Sequence, residues 1–435
     1  MNYKESLDYL EELKVFGSQL GLSRIQRLLQ LMDMPQQRYH TIHVTGTNGK
    51  GSVSTMLAGI LRHSGIHAGL YISPHLVSYT ERMSIDGQAI SQEDFAESIG
   101  VVRMHVQQML AEGEESPTQF EVLTAAAFSY FAKKQVEYAV IEVGLGGLLD
   151  STNVITPEVS VITNVTMEHA DRCGGTLEGI ARHKAGIIKE GVPVVTAARG
   201  EPLAVLQAVA REKNADIFVA GTDFSSSFVS FDGTKQLLLF RSALLGIAEE
   251  GYSLHILGAH QVENSSLAIM AAQLLHNNDE RITPETIGKA LERVLWPGRF
   301  ERIALGGQTI IIDGAHNPAG AEALRCSLDL YFPSEERVFM LGILKDKDID
   351  SMLKTLIRPN DTVLMTAPQS ERASDPEIVA RRVQAQHVEV QADNAEALER
   401  SLELAGGHRL LVIAGSLYLI GGVRQMLLQK KENLL

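Results

Sequence analysis

Residues 43–52, HVTGTNGKGS, carry an apolar strand pattern into a glycine-rich turn and then into a helical pattern over Ser52–His63. Glycines allow backbone N–H groups to converge on phosphate oxygens, and the N-terminus of the following helix adds partial positive charge. Lys50 stands where the lysine of a phosphate loop reaches the β- and γ-phosphates. We therefore predict that Lys50 is also catalytic and that ATP is bound by Gly46, Thr47, Asn48, Gly49, Lys50, Gly51 and Ser52.

This loop departs from the usual phosphate-loop pattern at two positions. Val44 stands where the first glycine belongs, and Gly51 stands where Ser or Thr normally follows the lysine. A chance glycine-rich turn is the alternative interpretation. The order of strand, loop, lysine and helix favours a nucleotide site, while the hydroxyl that meets Mg²⁺ stays open.

Strand and helix patterns alternate outward from the loop. The β-rich runs HAGLYIS, YAVIEVG, VSVITN and VPVVTA follow it before residue 200, which is typical of a parallel sheet wrapped by helices. Residues 217–257 change character, because FVSFDGTKQLLLF predicts two strands about an Asp-Gly turn. A helix is predicted over Asn264–His276.

A second alternating series begins after Trp296-Pro297-Gly298, with the runs TIIID, VFML, TVLMT, HVEV and LLVIAG. Pro and Gly could mark a surface turn, but a new βα series directly after them favours a linker. We predict an α/β fold with a phosphate-loop, parallel-sheet N-terminal domain over residues 1–297 that carries a small antiparallel addition. A smaller Rossmann-like α/β domain is predicted over residues 298–435.

Composition limits the class of partner. The 435 residues contain 39 Lys and Arg against 53 Asp and Glu, a net charge of −14, which argues against a nucleic-acid-binding surface. No apolar run reaches the roughly 18 residues of a membrane helix, and the acidic N-terminus lacks a signal-peptide core. The two cysteines, Cys173 and Cys326, provide no disulfide framework. We expect a cytoplasmic monomer that holds any anionic ligand in a local site.

Further motifs occur in a fixed order along the chain: SPHL (73–76), EVGLGGLLDSTN (142–153), EHADRCGGTLEGIARHKAGIIK (168–189), GAHQVEN (258–264), WPGRFE (296–301), DGAHNPAG (313–320) and AGSLYLIG (414–421). Together with GTNGKGS they resemble the folylpolyglutamate synthase and dihydrofolate synthase family, a branch of the Mur-ligase-like enzymes, from about residue 20 to 422. The resemblance implies an ATP-dependent ligase that adds L-glutamate to a folate or to dihydropteroate through an acyl phosphate, releasing ADP and phosphate.

Three other functions remain open from the residues alone. A phosphate-loop ATPase or small-molecule kinase would not need the second domain with DGAHNP. A nucleotide-binding module without activity is disfavoured because Lys50, Glu142, His169 and Asp313 are all present. A Mur-type peptidoglycan ligase is the nearest rival, but GTNGKGS with SPHL resembles the folate branch.

Two residues at predicted strand ends are candidate metal ligands. Glu142 closes the strand YAVIEV, and His169 follows the strand VSVITN, where open α/β sheets bind ligands. Taken alone, they would be a surface acid and a capped histidine. The resemblance implies Ser73 and Glu142 at one Mg²⁺, and Glu142 with His169 near a second. Metal ions allow a carboxylate to approach the triphosphate, which otherwise repels it.

Lys184, in HKAGIIK, is a further predicted catalytic residue in the first part of the chain. A solvated helix lysine is the alternative. The resemblance implies a carbamylated side chain whose new carboxylate supports the second metal, together with Lys50 and His316 as catalytic residues.

The second series is expected to complete the ATP site. Asp313 and His316 lie where a strand ends and a helix begins, so Asp313 is expected at a ribose or base and His316 near phosphate. The resemblance implies that Asn264 contacts adenine and Arg299 contacts phosphate. A turn aspartate and a surface arginine are the alternatives. The ATP site is therefore expected in the cleft between the two domains.

Three segments resemble the pterin-facing parts of the family. They supply the predicted substrate-binding residues Leu22, Ser23, Thr118, Phe120, Leu149, Asp150 and Ser151. The family commonly has Arg where this chain has Leu148, which leaves the choice between dihydropteroate and a reduced folate open.

Overall fold

The computed structural model describes residues 1–17, 20–168 and 172–432. Its α-helices are α1 (Tyr3–Glu12), α2 (Ser23–Leu31), α3 (Lys50–His63), α4 (Gln92–Ala111), α5 (Gln119–Lys133), α6 (Leu177–Ala185), α7 (Gly200–Glu212), α8 (Ala259–His276), α9 (Pro284–Arg293), α10 (Pro318–Tyr331), α11 (Ile349–Leu356), α12 (Pro376–Ala380), α13 (Asn394–Ala405) and α14 (Leu417–Glu432).

The β-strands of the same residues are β1 (His40–Thr45), β2 (Ala68–Tyr71), β3 (Met83–Ile85), β4 (Gln88–Ala89), β5 (Tyr138–Glu142), β6 (Val159–Ile162), β7 (Val194–Thr196), β8 (Ile217–Val219), β9 (Ser225–Phe231), β10 (Gln236–Ser242), β11 (Ile247–Leu254), β12 (Glu301–Leu305), β13 (Gln308–Ile312), β14 (Arg337–Leu341), β15 (Thr362–Met365), β16 (His387–Val390) and β17 (Leu410–Ala414). No described helix is both long enough and apolar enough to cross a membrane.

The chain forms two compact units. The first consists of Met1–Ser227, Leu238–Ser253 and Glu263–Val294. The second consists of Phe228–Leu237, Leu254–Val262 and Leu295–Leu435. The boundary after residue 297 stays a prediction, and the second unit also takes two short segments from the preceding part of the chain.

An eight-stranded sheet of order β4-β3-β2-β5-β1-β6-β7-β8 lies at the centre of the first unit. Strands β2, β5, β1, β6, β7 and β8 pair in parallel in that order, and β3 and β4 add an antiparallel edge next to β2. Its central strands β5 and β6 are buried along their whole length, as is typical of a parallel sheet covered by helices on both faces. Helices α1, α2, α4 and α5 form one apolar cluster on the sheet. The carboxyl ends of β2, β5, β1 and β6 therefore lie side by side.

A six-stranded sheet of order β12-β13-β17-β14-β15-β16 forms the centre of the second unit. Strands β12 and β13 are an antiparallel hairpin around Gly306 and Gly307, both at positive φ, and the remaining strands pair in parallel. A separate three-stranded sheet has the order β11-β10-β9. The predicted α/β fold, with a phosphate-loop parallel sheet, a small additional sheet and a second α/β unit, is confirmed.

Element boundaries differ from the predictions at several points. Helix α3 begins at Lys50 rather than Ser52, and α8 begins at Ala259 rather than Asn264. Strands β3, β4, β8, β11 and β12 were not predicted. All of them lie at or next to the edge of a sheet.

Candidate active site

The phosphate loop joins β1 to α3 in the first unit. The N–H groups of Thr47 and Asn48 donate to the backbone oxygen and side-chain oxygen of Asn164, at 2.8 and 2.9 Å. The Thr163 hydroxyl donates to the Asn48 carbonyl at 2.6 Å. The segment after β6 thus fixes the loop from one side, which leaves little conformational freedom to be lost when a ligand binds.

Two loop glycines are required by space as well as by backbone conformation. A Cβ on Gly46 would lie 1.8 Å from the Thr163 hydroxyl oxygen, and a Cβ on Gly49 would lie 2.3 Å from the Asn264 amide oxygen. Gly49 also has a φ of +87°, which a residue with a Cβ adopts at a cost. Asn264, on α8, therefore lies directly against the loop, while its predicted contact with adenine stays a prediction.

Lys50 is the first residue of α3, and its Nζ donates to the carbonyls of Gly46 and Thr47, both at 3.1 Å. The amine lies inside the curve of the loop, where phosphate oxygens are expected. Ser52 is the third residue of α3 and is buried. From these contacts the Lys50 amine needs to move only a short distance to reach a phosphate bound by the loop.

Glu142 and Ser73 lie beside the loop, at the ends of β5 and β2. The Ser73 N–H donates to Glu142 Oε2 at 3.1 Å, and Glu142 is 4% exposed. The carboxylate and the serine hydroxyl are hard oxygen donors of the kind that Mg²⁺ binds, so the donor set fits that ion. His169, the third predicted ligand, lies outside the described residues. Within the described ranges, no group of three or more His, Cys, Asp or Glu side chains could hold a metal by itself.

Lys184 lies in the last turn of α6 and is 6% exposed, so it is not a solvated helix lysine. Burial, together with the charge of Lys50, lowers the pKa of Lys184 to about 7. The end of α6 contacts the glycine-rich segment after β5, since the Leu148 N–H donates to the His183 carbonyl at 2.7 Å. A Cβ on Gly147 would lie 2.8 Å from that carbonyl, so glycine is needed for this contact.

A cavity of about 460 Å³ lies beside these residues in the first unit. It is lined by Lys14, Gly17, Leu20, Gly21, Ser73, Pro74, Arg82, Thr118, Gln119, Phe120, Glu121, Gly144, Leu145, Leu149, Asp150, Ser151 and Arg172. Five predicted substrate-binding residues, from Thr118 to Ser151, are thus brought together. Leu22 and Ser23 do not line the cavity, because Ser23 begins α2 and Leu22 packs against the apolar cluster of α1, α2, α4 and α5.

The Thr118 and Asp150 side chains form hydrogen bonds to other protein groups in the cavity wall. Thr118 caps α5 in a reciprocal capping box with Glu121, whose carboxylate also accepts from Arg24 Nε at 3.1 Å. Asp150 accepts from the Thr152 hydroxyl at 2.6 Å and from the Leu145 N–H at 2.8 Å. Burial raises the pKa of Asp150, and these hydrogen bonds oppose that rise.

A polar chain connects this wall to the strand that carries the phosphate loop. His43, in the middle of β1, is fully buried, and its Nε2 lies 2.9 Å from the Thr152 hydroxyl. Because that hydroxyl donates its proton to Asp150, the His43 Nε2–H must be the donor to Thr152. Burial, with a smaller contribution from Lys189, lowers the pKa of His43 to about 3.

Three predicted ATP-site residues meet in the second unit, at the end of β13. Asp313 accepts from the N–H groups of Phe300 and Ala315, both at 2.8 Å, and burial raises the pKa of its carboxyl. His316 Nδ1 lies 2.7 Å from the Gly314 carbonyl and therefore donates to it. A Cβ on Gly314 would lie 2.4 Å from Arg299 Nη1, which places the guanidinium against the same turn.

Sequence reasoning missed the basic side chains of the cavity. Lys14, Arg82 and Arg172 all line it but lie in three distant parts of the sequence. No local pattern connects them. Two of them offered a signal: Arg82 follows the SPHL motif by a few residues, and Arg172 lies within the motif of residues 168–189.

Two family models match the chain. The model of the Mur ligase middle domain matches residues 44–272, and that of the Mur ligase glutamate ligase domain matches residues 298–417. Folylpolyglutamate synthase of Lacticaseibacillus casei is 37% identical over 99% of this chain and 100% of the relative. Dihydrofolate synthase/folylpolyglutamate synthase of Bacillus subtilis is 31% identical over 98% of this chain and 99% of the relative.

Solved structures agree with these matches. A folylpolyglutamate synthase of Thermotoga maritima superposes with a TM-score of 0.86 at 37% identity, covering 99% of this chain and 97% of that one. A Mycobacterium tuberculosis folylpolyglutamate synthase complexed with ADP and AMPPCP has a TM-score of 0.86 at 31% identity, with 98% and 99% covered. An Escherichia coli structure in complex with DHPP and ADP has a TM-score of 0.87 at 27% identity, with 99% and 98% covered.

Proposed function

The chain belongs to the folylpolyglutamate synthase and dihydrofolate synthase family of Mur ligases, and from that premise we propose how its residues carry out the reaction. It is an ATP-dependent carboxylate–amine ligase that adds glutamate to a folate-type acceptor. One observation carries the assignment of the site. The phosphate loop, Glu142 with Ser73, and the cavity all lie at the carboxyl ends of neighbouring parallel strands, where open α/β sheets bind ligands.

We assign the ATP phosphates to the loop from Gly46 to Ser52. Its fixed backbone and the N-terminus of α3 supply N–H donors, and Lys50 leaves its two carbonyl partners to contact the phosphates. Asn264 holds the loop from the α8 side. Arg299, Asp313 and His316 are proposed as the further nucleotide-contacting residues because they share one turn of the second unit.

Ser73, Glu142 and His169 are the proposed ligands of Mg²⁺, with two ions expected. Bound there, Mg²⁺ would neutralise triphosphate charge and orient the γ-phosphate. Glu142 is suited to this because a buried carboxylate held by the Ser73 N–H keeps its position without a ligand.

Lys184 is proposed to be carbamylated. Its amine is buried and lies within the electrostatic influence of Lys50, so the protonated form is unfavourable there. The neutral amine attacks CO₂ and loses a proton, which replaces a cation by a carboxylate at the same place. That carboxylate would support the second metal position.

The chemistry follows from these placements. One carboxylate oxygen of the acceptor attacks the γ-phosphorus of ATP, the bond to the ADP oxygen breaks, and an acyl phosphate forms. The glutamate amine then attacks the acyl carbon, loses a proton, and phosphate leaves with the electron pair of the C–O bond. Holding the reactants together can supply effective molarities of about 10⁵ M or more, so positioning by the loop and cavity is a main source of rate.

ADP release tests the function directly. It should require ATP, L-glutamate and either tetrahydrofolate or dihydropteroate, and each acceptor is assayed with and without L-glutamate. ADP release that does not depend on an acceptor would indicate an ATPase instead. For the intermediate, an acceptor labelled with ¹⁸O in its carboxylate should transfer one label to the phosphate product.

Carbamylation has a readout apart from turnover. The protein equilibrated with ¹³C-bicarbonate should give a carbamate carbon signal that a Lys184→Arg variant lacks. An identical spectrum for both proteins would remove Lys184 from this role.

The oligomeric state and compartment are also part of the proposal. A monomer in the cytoplasm agrees with a net charge of −14 and with two cysteines that form no disulfide. Light scattering across a range of protein concentrations tests the first point.

A further inference from the structure

The charges that line the cavity are unevenly distributed. Among its described lining residues, Lys14, Arg82 and Arg172 are basic, while Glu121 and Asp150 are acidic. Both acids already have partners in the protein, since Glu121 pairs with Arg24 and Asp150 accepts from Thr152. Lys14 likewise pairs with Glu11 at 2.6 Å, whereas no ion pair among the described residues involves Arg82. An arginine without an acidic partner at a cavity of a chain of net charge −14 indicates that the cavity receives an anionic group.

Arg82 is held by two aromatic neighbours, His75 and Tyr79. Its Nε donates to His75 Nδ1 at 2.9 Å, and its guanidinium carbon lies 5.3 Å from the centre of the Tyr79 ring. The His75 and Tyr79 rings are themselves 4.4 Å apart. Among the described residues, no hydrogen bond occupies the two terminal amino groups of Arg82. A planar guanidinium fixed in this way is suited to a carboxylate.

One braced segment connects Arg82 to the reaction centre. It begins at Ser73, whose N–H contacts Glu142, and it ends at Arg82, so both of its ends line the cavity. Within it, the Glu81 carboxylate accepts from the N–H groups of Leu76, Val77 and Ser78 at 2.7 to 2.9 Å. These hydrogen bonds hold the backbone of the segment that lies between the reaction centre and Arg82.

The two acceptor substrates differ in the number of carboxylates at the end that reacts. Dihydropteroate ends in a single carboxylate, and that carboxylate is the group that reacts. A folate ends in glutamate, whose γ-carboxylate reacts and whose α-carboxylate remains. We propose that Arg82 binds the non-reacting α-carboxylate of the terminal glutamate and is thereby a specificity-determining residue for acceptors that already carry glutamate. The inference rests on the proposed assignment of this cavity to the folate.

A chemical double-mutant cycle tests the contact. Wild type and Arg82→Gln are each assayed with tetrahydrofolate and with its α-carboxamide, which keeps the γ-carboxylate but lacks the α charge. The wild type should favour the acid over the amide by roughly 10- to 150-fold in kcat/KM, mainly through KM, as expected for one charge-assisted hydrogen-bonded pair. In Arg82→Gln this ratio should fall to near one.

Arg103 provides a matched control. Its guanidinium carbon lies 5.1 Å from the centre of the Tyr9 ring, so it is also an arginine stacked on a tyrosine, but it does not line the cavity. Arg103→Gln should keep the wild-type ratio. Because the ratio is taken within one protein, a general loss of stability in Arg82→Gln lowers kcat/KM for both substrates equally and leaves the ratio unchanged.

Each outcome has a definite meaning. A ratio near one for the wild type, or a wild-type ratio retained by Arg82→Gln, would overturn the role of Arg82. Turnover of neither acceptor by the wild type, with dihydropteroate also inactive, would instead overturn the ligase function itself. Loss of the ratio in Arg82→Gln but not in Arg103→Gln supports the proposal.

Discussion

The Lys50 amine is held between two loop carbonyls of its own chain, and its position depends on few other contacts. Lys50→Ala removes the charge while leaving the helix start at Gly49 unchanged. We expect turnover to fall by about 10²-fold or more, as when a single stabilising donor is removed from a catalytic site. Steady-state kinetics with thermal melts checks this, with Lys213→Ala on the exposed end of α7 as control. A folded Lys50→Ala protein of near wild-type turnover would exclude the phosphate-loop assignment.

Gly49 allows a cleaner comparison, because backbone strain and steric overlap can be separated there. Gly49 and Gly221 have φ values of +87° and +85°, but only Gly49 has a neighbour within reach of an added Cβ. Gly221→Ala should therefore cost roughly 1–2 kcal/mol of stability from backbone strain alone. Gly49→Ala should cost more, and it should also raise the KM for ATP, because Asn264 and the loop must move apart. Equal effects of the two substitutions would argue against the close contact.

At the scale of whole elements, one ion pair joins α2 to α5. Arg24 is 11% exposed and Glu121 is 3% exposed, and their atoms lie 3.1 Å apart. Arg24→Met leaves a buried carboxylate without its cation, so we expect a loss of about 3 kcal/mol in the free energy of unfolding. The double variant with Glu121→Gln should lose less than the sum of the two single changes. Urea unfolding measures both, and Lys289→Met in the exposed pair with Glu285 should leave stability nearly unchanged.

Strand β1 carries a pH-dependent contribution to stability through His43. The folded-state pKa is lowered to about 3 by burial, whereas an unfolded histidine has a pKa of about 6.5. As the pH falls below about 6.5, His43 binds a proton in the unfolded chain but not in the folded chain, so the free energy of unfolding decreases towards pH 3. His43→Gln should remove about 2 kcal/mol of this decrease between pH 6.5 and 5. Urea unfolding of the wild type and of His43→Gln at several pH values checks it.

The elements that could be predicted from sequence are those whose signal is local. Strand β1, the loop and β5 combine continuous apolar runs with a glycine-rich turn, and they were predicted together with their shared sheet edge. The start of α8 was missed because a distant residue helps to fix it: the Ala259 N–H donates to the Ser327 hydroxyl at 3.1 Å. The cavity lining around Arg82 was missed for the same reason, since folding alone brings its residues together. Roles such as that of Asn264 at adenine stay predictions.

For the molecule as a whole, the central prediction is that the second unit contributes to turnover. His316→Ala removes a side chain whose Nδ1 is already fixed by the Gly314 carbonyl. We expect kcat/KM to fall by roughly 10- to 150-fold, the effect of one charge-assisted contact, with little change in thermal stability. Unchanged kcat/KM would mean that the first unit binds ATP alone. His408→Ala, at an exposed position of the second unit, is the control.

Asp313→Ala also tests whether the second unit contributes to turnover, but it should affect stability as well. Both of its carboxylate oxygens hold backbone N–H groups, and one of these belongs to Phe300, whose φ is +46°. Asp313→Ala should therefore reduce stability as well as turnover, since each buried donor left unpaired costs about 1–3 kcal/mol. Little change in stability is therefore expected for His316→Ala only.

The carbonyl contacts of Lys50 also affect how nucleotide affinity should be interpreted. The ammonium group has two carbonyl oxygen partners within the loop, so the arrival of a phosphate is an exchange of partners for that group rather than the creation of new ones. The heat released on binding at this position is then the difference between the new contacts and the old ones, and it should be smaller than the full strength of the ammonium–phosphate contact. The exchange still favours the nucleotide, because an ionised phosphate oxygen is a stronger acceptor than a neutral carbonyl, and any further strengthening during phosphoryl transfer adds to the rate.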